Sequence, residues 1–298
     1  MPAHLYATNR MKYEAIRTHR QEFAVGKMCK ALNLTSGAYY QWVRRAEAKE
    51  EKQAAEQKIV NHLIKVFEEN RRTYGYRRMW RAMKEIGFQL SEYKVRSLMR
   101  SNGLYPVTAL KFRPTHNGEK TGKFLDNKVA QEFMPEGFNE IWVGDITYIK
   151  TELGWVYLAI VMDLYNREII GYSIDKSIDT ELVKRSLSNA LSRRGGGEGT
   201  MFHSDRGVQY CSKGFQKMLA DHGMSGSMSR PGCPYDNACA ESFFSTAKRE
   251  CIYRKKYATV EEVKADMFEY IEVFYNRKRM HKTLGYQSPI AFRLLQTA

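Results

Sequence analysis

The fold is decided by residues 141–149, which read Ile141-Trp-Val-Gly-Asp-Ile-Thr-Tyr-Ile149. The stretch is rich in β-branched and aromatic residues and alternates in polarity, a pattern that predicts a β-strand. Asp145 falls in its middle, on the face that also carries Val143 and Thr147. A carboxylate in such a row costs free energy to bury unless it is paired or binds a metal ion. The stretch therefore predicts a sheet and a functional carboxylate within it.

The order of secondary structure around this strand predicts an α/β sandwich. Further strands are expected at 155–164, 167–175, 200–205 and 224–229, with helices at 180–193, 212–222, 238–251 and 261–276 and then a basic tail. Strands that follow one another this closely indicate an antiparallel meander. Three strands, helix, strand, helix, strand, helix is the order of the ribonuclease H fold. We therefore expect an α/β ribonuclease H-like catalytic domain, with a mixed five-stranded sheet and flanking helices.

An all-α helix-turn-helix region is expected before this domain. Apolar spacing in 23–43 predicts two short helices around a break at 33–35, with Ser36 as the N-cap of the second, and a long polar helix follows at 46–70. A second helical pair is expected at 74–86 and after the N-cap Ser91. Its basic side chains are candidates for contacts with DNA phosphates and base edges: Arg77, Arg78, Lys94, Arg96 and Arg100. Ordinary helical hairpins with a solvated charged face are the alternative.

Positive charge is concentrated in the helical part of the chain. Residues 1–125 hold 25 Lys and Arg against 11 Asp and Glu, whereas residues 126–298 hold 23 against 22. Such an asymmetry, in a chain of net charge +15, predicts a nucleic-acid-binding segment joined to a domain with a different function. A basic, well-solvated surface is the bland alternative.

Other features exclude several classes of protein. The longest strongly apolar run, 155–162, is too short for a membrane helix, and residues 1–20 lack the apolar region of a secretory signal. Five cysteines with no C-x-x-C pair argue against a disulfide scaffold and against a zinc ribbon. We therefore expect a cytoplasmic protein, associated with the nucleoid when it binds DNA.

Four segments are expected along the chain. They are a helix-turn-helix-like segment at 1–50, a second such DNA-binding domain at 51–110, a linker at 111–135 and the catalytic core with its C-terminal helices at 136–298. The linker is expected because that stretch is polar, broken by Pro and Gly, and without clear periodicity.

Two further carboxylates have settings that suit catalysis. Asp205 ends a predicted strand, where α/β sheets usually keep functional groups, and Glu241 lies in the first turns of a predicted helix. With Asp145 they make an all-oxygen set that suits Mg²⁺ or Mn²⁺. Two such ions ~3.5–4 Å apart support in-line displacement at a phosphodiester. Asn237 and Lys248 share a helix face with Glu241 and are expected to support the site.

The motifs that carry these residues resemble a known family. The D,D,E signature of bacterial insertion-sequence transposases is similar to Trp142-Val-Gly-Asp145-Ile-Thr-Tyr, His203-Ser-Asp205-Arg-Gly-Val-Gln-Tyr and Asp236-Asn-Ala-Cys-Ala-Glu241-Ser-Phe-Phe. Asp205 and Glu241 are separated by 35 residues, and a basic residue, Lys248, follows Glu241 by seven positions. Both spacings match that signature. Three other stretches, Met11–Trp42, Tyr74–Leu104 and Tyr275–Ile290, resemble the start, the helix-turn-helix-like domain and the end of the OrfB product. The chain thus resembles the insertion-sequence-3 family, in the retroviral-integrase superfamily.

This resemblance implies a recombinase that binds the terminal inverted repeats of an insertion sequence, cleaves 3′ ends and joins strands through a circular intermediate. It implies Asp145, Asp205 and Glu241 as ligands of two Mg²⁺ ions, for which Mn²⁺ substitutes. Double-stranded DNA, a homo-oligomer in the synaptic complex and an upstream-frame (OrfA-type) partner are the implied partners. The chain departs from the superfamily because His4, His19, Cys29 and His62 lack the spacing of the retroviral zinc module. It also shows no sustained heptads of the kind that the family's upstream leucine zipper would give.

Three residues near Asp205 are weaker candidates. His203, Arg206 and Gln209 are expected to contact DNA, with a packing role for His203 as the alternative. Two other functions are also compatible with the sequence. One is a DNA-binding regulator whose nuclease-like domain is an inactive scaffold, and the other is a nuclease that cuts without joining.

Overall fold

The structure is a computed structural model that describes residues 8–107, 135–229 and 238–297. The chain divides into two compact units, 1–65 and 66–298. Asn237 and all but the last residue of the predicted linker lie outside the described residues. The boundaries of the four predicted segments stay predictions.

The first unit is helical and has a small core of its own. Helix α1 spans Asn9–His19, α2 spans Val25–Ala31 and α3 spans Ser36–Glu69. Its buried core consists of Ile16, Cys29, Leu32 and Tyr39. Helix α1 supplies Ile16 to this core, and the sequence patterns did not predict that helix.

Helix α3 corrects two expectations from the sequence. The short helix to residue 43 and the long helix from residue 46 are one continuous helix of 34 residues. Its continuity has a simple cause, since Arg44, Arg45 and Ala46 at the expected break are good helix formers. Thr35, rather than Ser36, caps the N-terminus, and its Oγ1 accepts a hydrogen bond from the Ala38 amide at 3.3 Å.

The second unit begins with the helical pair that the sequence predicted. Helix α4 spans Tyr76–Glu85 and α5 spans Glu92–Ser101, and the Ser91 side chain caps α5 by accepting from the Lys94 amide at 3.1 Å. The Trp80 indole closes the turn between them by donating to the Leu90 carbonyl at 2.7 Å. The apolar spacing of the two helices predicted six inward-facing residues. Ile86, at the end of α4, is exposed, and the other five are buried: Met79, Met83, Val95, Leu98 and Met99.

The sheet is mixed and five-stranded, as predicted. Strands β1 (Ile141–Thr151), β2 (Gly154–Asp163) and β3 (Ile169–Asp175) form an antiparallel meander. Strands β4 (Met201–Ser204) and β5 (Ser225–Met228) extend it in parallel on the other side of β1. The strand order is β3-β2-β1-β4-β5.

Helices cover this sheet. They are α6 (Thr180–Arg194), α7 (Val208–Cys211), α8 (Lys213–Asp221), α9 (Ala238–Glu250), α10 (Val260–Phe268) and α11 (Pro289–Gln296). Trp142 and Phe202 from the strands pack with Leu187 of α6 and Phe215 of α8 in one buried cluster. Within 8–107, 135–229 and 238–297, no helix combines the length and apolar character needed to span a membrane.

The C-terminal stretch is folded, where the sequence suggested only a basic tail. Residues Glu269–Tyr275 continue α10 as a π-helix. The Asn276 side chain then bonds both the amide and the carbonyl of Ile169 in β3, at 3.0 and 2.9 Å. Its own carbonyl accepts from the Ile290 amide at 3.0 Å, at the start of α11. These contacts are distant in sequence, which is why local patterns did not reveal them.

Gly171 sets the distance between β3 and α6. A Cβ at this position would lie 2.2 Å from the Ser186 carbonyl oxygen and 2.7 Å from the Ala190 amide nitrogen. Both are backbone atoms, so neither can rotate away. The sheet and the helix can therefore meet this closely only over a glycine.

Gly171→Ala should lower the free energy of unfolding by about 1–3 kcal/mol, because the helix must move off the strand. Urea unfolding followed by circular dichroism measures this. The matched control is Gly214→Ala in α8, where a Cβ would meet nothing closer than 3.9 Å and stability should hold or rise. Equal stability of the two variants would contradict the close contact.

Candidate active site

Asp145 lies in the middle of β1 and is half-buried. On one side, β1 pairs with β2, where Asp145 is opposite Ile160. On the other, it pairs in parallel with β4, and the last matched residues are Gly144 and Ser204. A Cβ on Gly144 would lie 2.4 Å from the Phe202 ring, so glycine is needed for β4 to pack this closely beside the aspartate.

Asp205 follows directly on Ser204, at the end of β4. Asp145 and Asp205 are therefore the next residues on two neighbouring parallel strands, which are ~4.8 Å apart. The Asp205 Oδ1 accepts a hydrogen bond from the Gly207 amide at 2.9 Å, which fixes this carboxylate at the turn into α7. The register thus brings together two of the three carboxylates that the sequence singled out.

Tyr210 lies beside both aspartates. Its side chain is fully buried, and its hydroxyl has no hydrogen-bond partner among the described residues. Burial raises the pKa of this phenol well above its usual value of 10, and the negative charges of Asp145 and Asp205 raise the pKa further. Tyr210 was not among the residues predicted from the sequence, and its signal would have been a tyrosine five residues after the strand-ending Asp205.

Lys248 approaches the same site from α9. Its Nζ lies 5.0 Å from the centre of the Tyr148 ring, and Tyr148 is on β1. Burial lowers the pKa of this ammonium group, and the nearby Asp145 carboxylate opposes that shift. The contact between α9 and β1 therefore brings a cationic group near Asp145.

Glu241 lies in the first turn of α9 and is exposed. Within 8–107, 135–229 and 238–297, no three Asp, Glu, His or Cys side chains are close enough together to hold a metal ion. The structure therefore brings Asp145, Asp205 and Lys248 together, and Glu241 lies on the same helix as Lys248. Asn237 precedes α9 and lies outside the described residues.

The three weaker candidates near Asp205 differ in their settings. His203 is fully buried, with Nδ1 3.0 Å from the Ser227 hydroxyl and Nε2 3.0 Å from the Ser229 hydroxyl, so its ring has no exposed surface. The Arg206 Nε donates to the Ser229 carbonyl at 2.8 Å. The Gln209 side chain donates to the Ile178 carbonyl at 3.2 Å. Both of these side chains remain partly exposed.

The basic residues of α4 and α5 divide into two groups. Arg77 and Arg96 are exposed, with guanidinium groups 5.6 and 5.4 Å from the Tyr76 ring centre, and Arg100 is exposed in the last turn of α5. Lys94 is half-buried. Arg78 is also half-buried and lies over Tyr74, so it does not belong to the exposed group.

Comparisons with known proteins agree with this architecture. Family models described as Integrase core domain match residues 135–234 and 241–296, and a model described as HTH-like domain matches 54–112. "Transposase InsF for insertion sequence IS3A" of Escherichia coli strain K12 is 36% identical over 282 residues, covering 95% of this chain and 98% of that protein. The "Insertion element IS600 uncharacterized 31 kDa protein" of Shigella sonnei is 36% identical over 267 residues, covering 89% and 97%.

Solved structures are more distant. An intasome of simian T-cell lymphotropic virus in complex with PP2A regulatory subunit B56 gamma has a TM-score of 0.45 at 15% identity, over 71% of this chain and 69% of that one. The integrase catalytic core domain of HTLV-2 in complex with magnesium has a TM-score of 0.36 at 15% identity, over 52% and 95%.

The sheet, the helical pair and the matched domains define a DNA transposase of the D,D,E transposase/integrase class with a ribonuclease H-like core. The 36% sequence identity to the IS3A transposase, over nearly the whole length of both chains, identifies the family within this class. The chain belongs to the IS3 family of insertion-sequence transposases. The resemblance noted in the sequence is confirmed, and a regulator with an inactive scaffold is not favoured.

Tyr210→Phe should leave the free energy of unfolding unchanged or slightly higher, because it removes a buried hydroxyl that forms no hydrogen bond to a described residue. The matched control is Tyr74→Phe. The Tyr74 hydroxyl accepts from the Met280 amide at 2.9 Å and donates to the Lys278 carbonyl at 3.0 Å. Removal of the Tyr74 hydroxyl should therefore lower the free energy of unfolding by about 1–3 kcal/mol, as measured by urea unfolding. An equal loss for Tyr210→Phe would mean that this hydroxyl is bonded.

Proposed function

We propose that Asp145, Asp205 and Glu241 hold divalent metal ions with which the transposase cleaves 3′ ends and joins them to target DNA. The observation that carries this proposal is the adjacency of Asp145 and Asp205 at the β1–β4 edge. Two carboxylates at matching positions of neighbouring strands produce a region of negative potential, which favours the binding of a cation. Glu241 completes the set in this proposal, since α9 also carries Lys248 beside Asp145.

The donor set suits Mg²⁺, with Mn²⁺ as a substitute. All three residues offer carboxylate oxygens, and hard cations of this kind prefer oxygen ligands. Bound as a pair, such ions would activate a hydroxyl nucleophile and neutralise charge on the phosphate. The chain's own contribution is to hold the two aspartates in register. The Asp205–Gly207 hydrogen bond fixes one carboxylate before any ligand arrives.

Lys248 is proposed to bind a phosphate next to the scissile bond. Its ammonium group is half-buried beside Tyr148, so water screens its charge less than that of an exposed lysine. Asn237, four residues before Glu241, is proposed to support the same site. Arg206 and Gln209 are proposed to contact DNA close to Asp205.

The DNA substrate is proposed to be the terminal inverted repeats of the insertion sequence together with target DNA. Exposed cations on α4 and α5 supply the phosphate and base contacts in this proposal, namely Arg77, Arg96 and Arg100 with the half-buried Lys94. Residues 1–50 and 51–110 would act as successive DNA-binding segments. The two ends of the element must be brought together during synapsis, and we propose that a homo-oligomer holds them. An upstream-frame partner and a cytoplasmic, nucleoid-associated location complete the proposal.

Glu241→Gln should reduce cleavage of terminal-repeat DNA in Mg²⁺ by roughly 100- to 1,000-fold or more. A neutral amide is a weaker ligand for Mg²⁺ than a carboxylate, so the metal would stabilise the charge of the transition state less well. Binding of the same DNA without metal should be nearly unchanged. The matched control is Glu261→Gln, which also changes a glutamate in the first turn of a helix and is exposed. Persistent nicking by purified Glu241→Gln would refute the assignment of Glu241.

Joining separates a transposase from a nuclease that only cuts. With pre-cut ends that carry a free 3′-hydroxyl, the wild-type chain and Mg²⁺ should produce covalent joints to a plasmid target. A gel assay with labelled ends detects these joints. Cleavage of intact ends without any joining of pre-cut ends would favour the nuclease instead.

A further inference from the structure

The unit formed by 66–298 contains a basic cleft that Asp145 and Asp205 do not line. The cleft has a volume of about 500 Å³ and is lined by α4, by one face of α9 and by residues 279–283. Among the described residues of its wall, Glu250 is the one carboxylate. The cations of the wall are Arg78, Arg167, Arg249, Arg279 and Lys282. We call this feature the arginine cleft.

Glu250 neutralises one of these cations and has little capacity left for the others. The Arg279 guanidinium binds it with two hydrogen bonds of 2.8 Å, from Nε to Oε2 and from Nη2 to Oε1. The Tyr270 hydroxyl donates a third, at 2.9 Å, to Oε2. Arg279 and Glu250 are both buried, and such a bidentate pair is strong and directional. This pair forms a fixed, nearly neutral wall.

Arg167 and Arg78 have no such compensation. The Arg167 Nη1 is buried and has no hydrogen-bond partner among the described residues. Arg78 is half-buried over Tyr74; burial and the nearby Arg279 lower the pKa of its guanidinium, and Glu250, which is already bonded to Arg279, opposes that shift. Half-buried cations whose charge is only partly compensated cost free energy, so an anion bound in this cleft would be stabilised.

His281 lies among the same three arginines and adds no counter-charge. Burial lowers the pKa of its imidazole well below 6.5, and Arg279, Arg78 and Arg167 lower it further. The ring is therefore neutral at physiological pH. The cleft is thus lined by these three guanidinium groups and a neutral imidazole, with Glu250 as the one carboxylate among its described residues.

We propose that the arginine cleft binds backbone phosphates of the DNA strand on which the transposase acts. This rests on the proposed function and extends it to a second DNA-binding surface. Guanidinium groups match phosphate oxygens in charge and in bidentate geometry. The α9 face of the cleft also offers the hydroxyls of Ser242 and Thr246.

The position of the cleft favours DNA over a free anion. Ser242 follows Glu241 directly in α9, so a strand in the cleft would continue toward the proposed metal ligand. Arg78 belongs to α4, inside the stretch that matches the HTH-like domain. One phosphodiester strand would therefore contact the helical pair and the catalytic core together, which a single inorganic phosphate would not do.

The test measures DNA binding by fluorescence anisotropy in EDTA, with a labelled duplex that carries one end of the insertion sequence. Arg167→Gln should weaken binding roughly tenfold. The slope of log K against log salt should become shallower by about 0.9 for each phosphate that the protein no longer neutralises. Lys282→Gln, at the exposed rim, should act in the same direction. The matched control, Lys264→Gln on α10, removes an equal charge outside the cleft and should have no effect.

Thermal unfolding distinguishes ligand binding from a structural role. Because Arg167 is an uncompensated cation, Arg167→Gln should leave Tm unchanged or raise it. A lower affinity with an unchanged or higher Tm supports the cleft as a phosphate site. Unchanged affinity, an equal loss of affinity in Lys264→Gln, or a loss accompanied by a lower Tm overturns it. Metal-free binding involves no chemistry, so failure of the Glu241 assignment would appear separately, in the cleavage assay.

Discussion

Two carboxylates of like charge lie side by side in this protein because the backbone pairing of β1 with β4 holds them there. Carboxylates at matching positions of neighbouring strands are held close by the backbone pairing and not by attraction between the side chains. Packing supports that pairing, because Gly144 admits the Phe202 ring and Tyr210 joins the same buried cluster as Phe202. Lys248 adds a partial counter-charge from α9.

Local sequence patterns predicted the meander, the helical pair and the position of Asp145, because each depends on neighbours a few residues away. They failed where long-range contacts decide. Helix α11 and the turn before it depend on Asn276 reaching back to β3, a contact between residues more than 100 positions apart. The length of α3 was missed for the opposite reason, since nothing in 44–46 interrupts a helix and the predicted break had no physical basis.

The interval between Asp205 and Glu241 matches a family signature, but an interval contains no information on the direction of a side chain. Glu241 lies in the first turn of α9 and is exposed, while Lys248, seven residues later in the same helix, contacts Tyr148 on β1. Counting charges has a similar limit. The sequence indicated that the C-terminal half is nearly neutral, yet Arg167 and Arg279 meet there in one cleft, and only Arg279 has a carboxylate partner in Glu250.

The π-helix at Glu269–Tyr275 gives this region an unusual sensitivity to chain length. Hydrogen bonds there span five residues, as from the Asn276 amide to the Ile271 carbonyl at 2.9 Å and from the Arg279 amide to the Phe274 carbonyl at 2.8 Å. Deleting one residue would restore an ordinary helix but rotate everything after it by about 100°. Asn276 would then turn away from β3, and Arg279 from Glu250. Evolution can exchange side chains in this segment far more easily than it can insert or delete them.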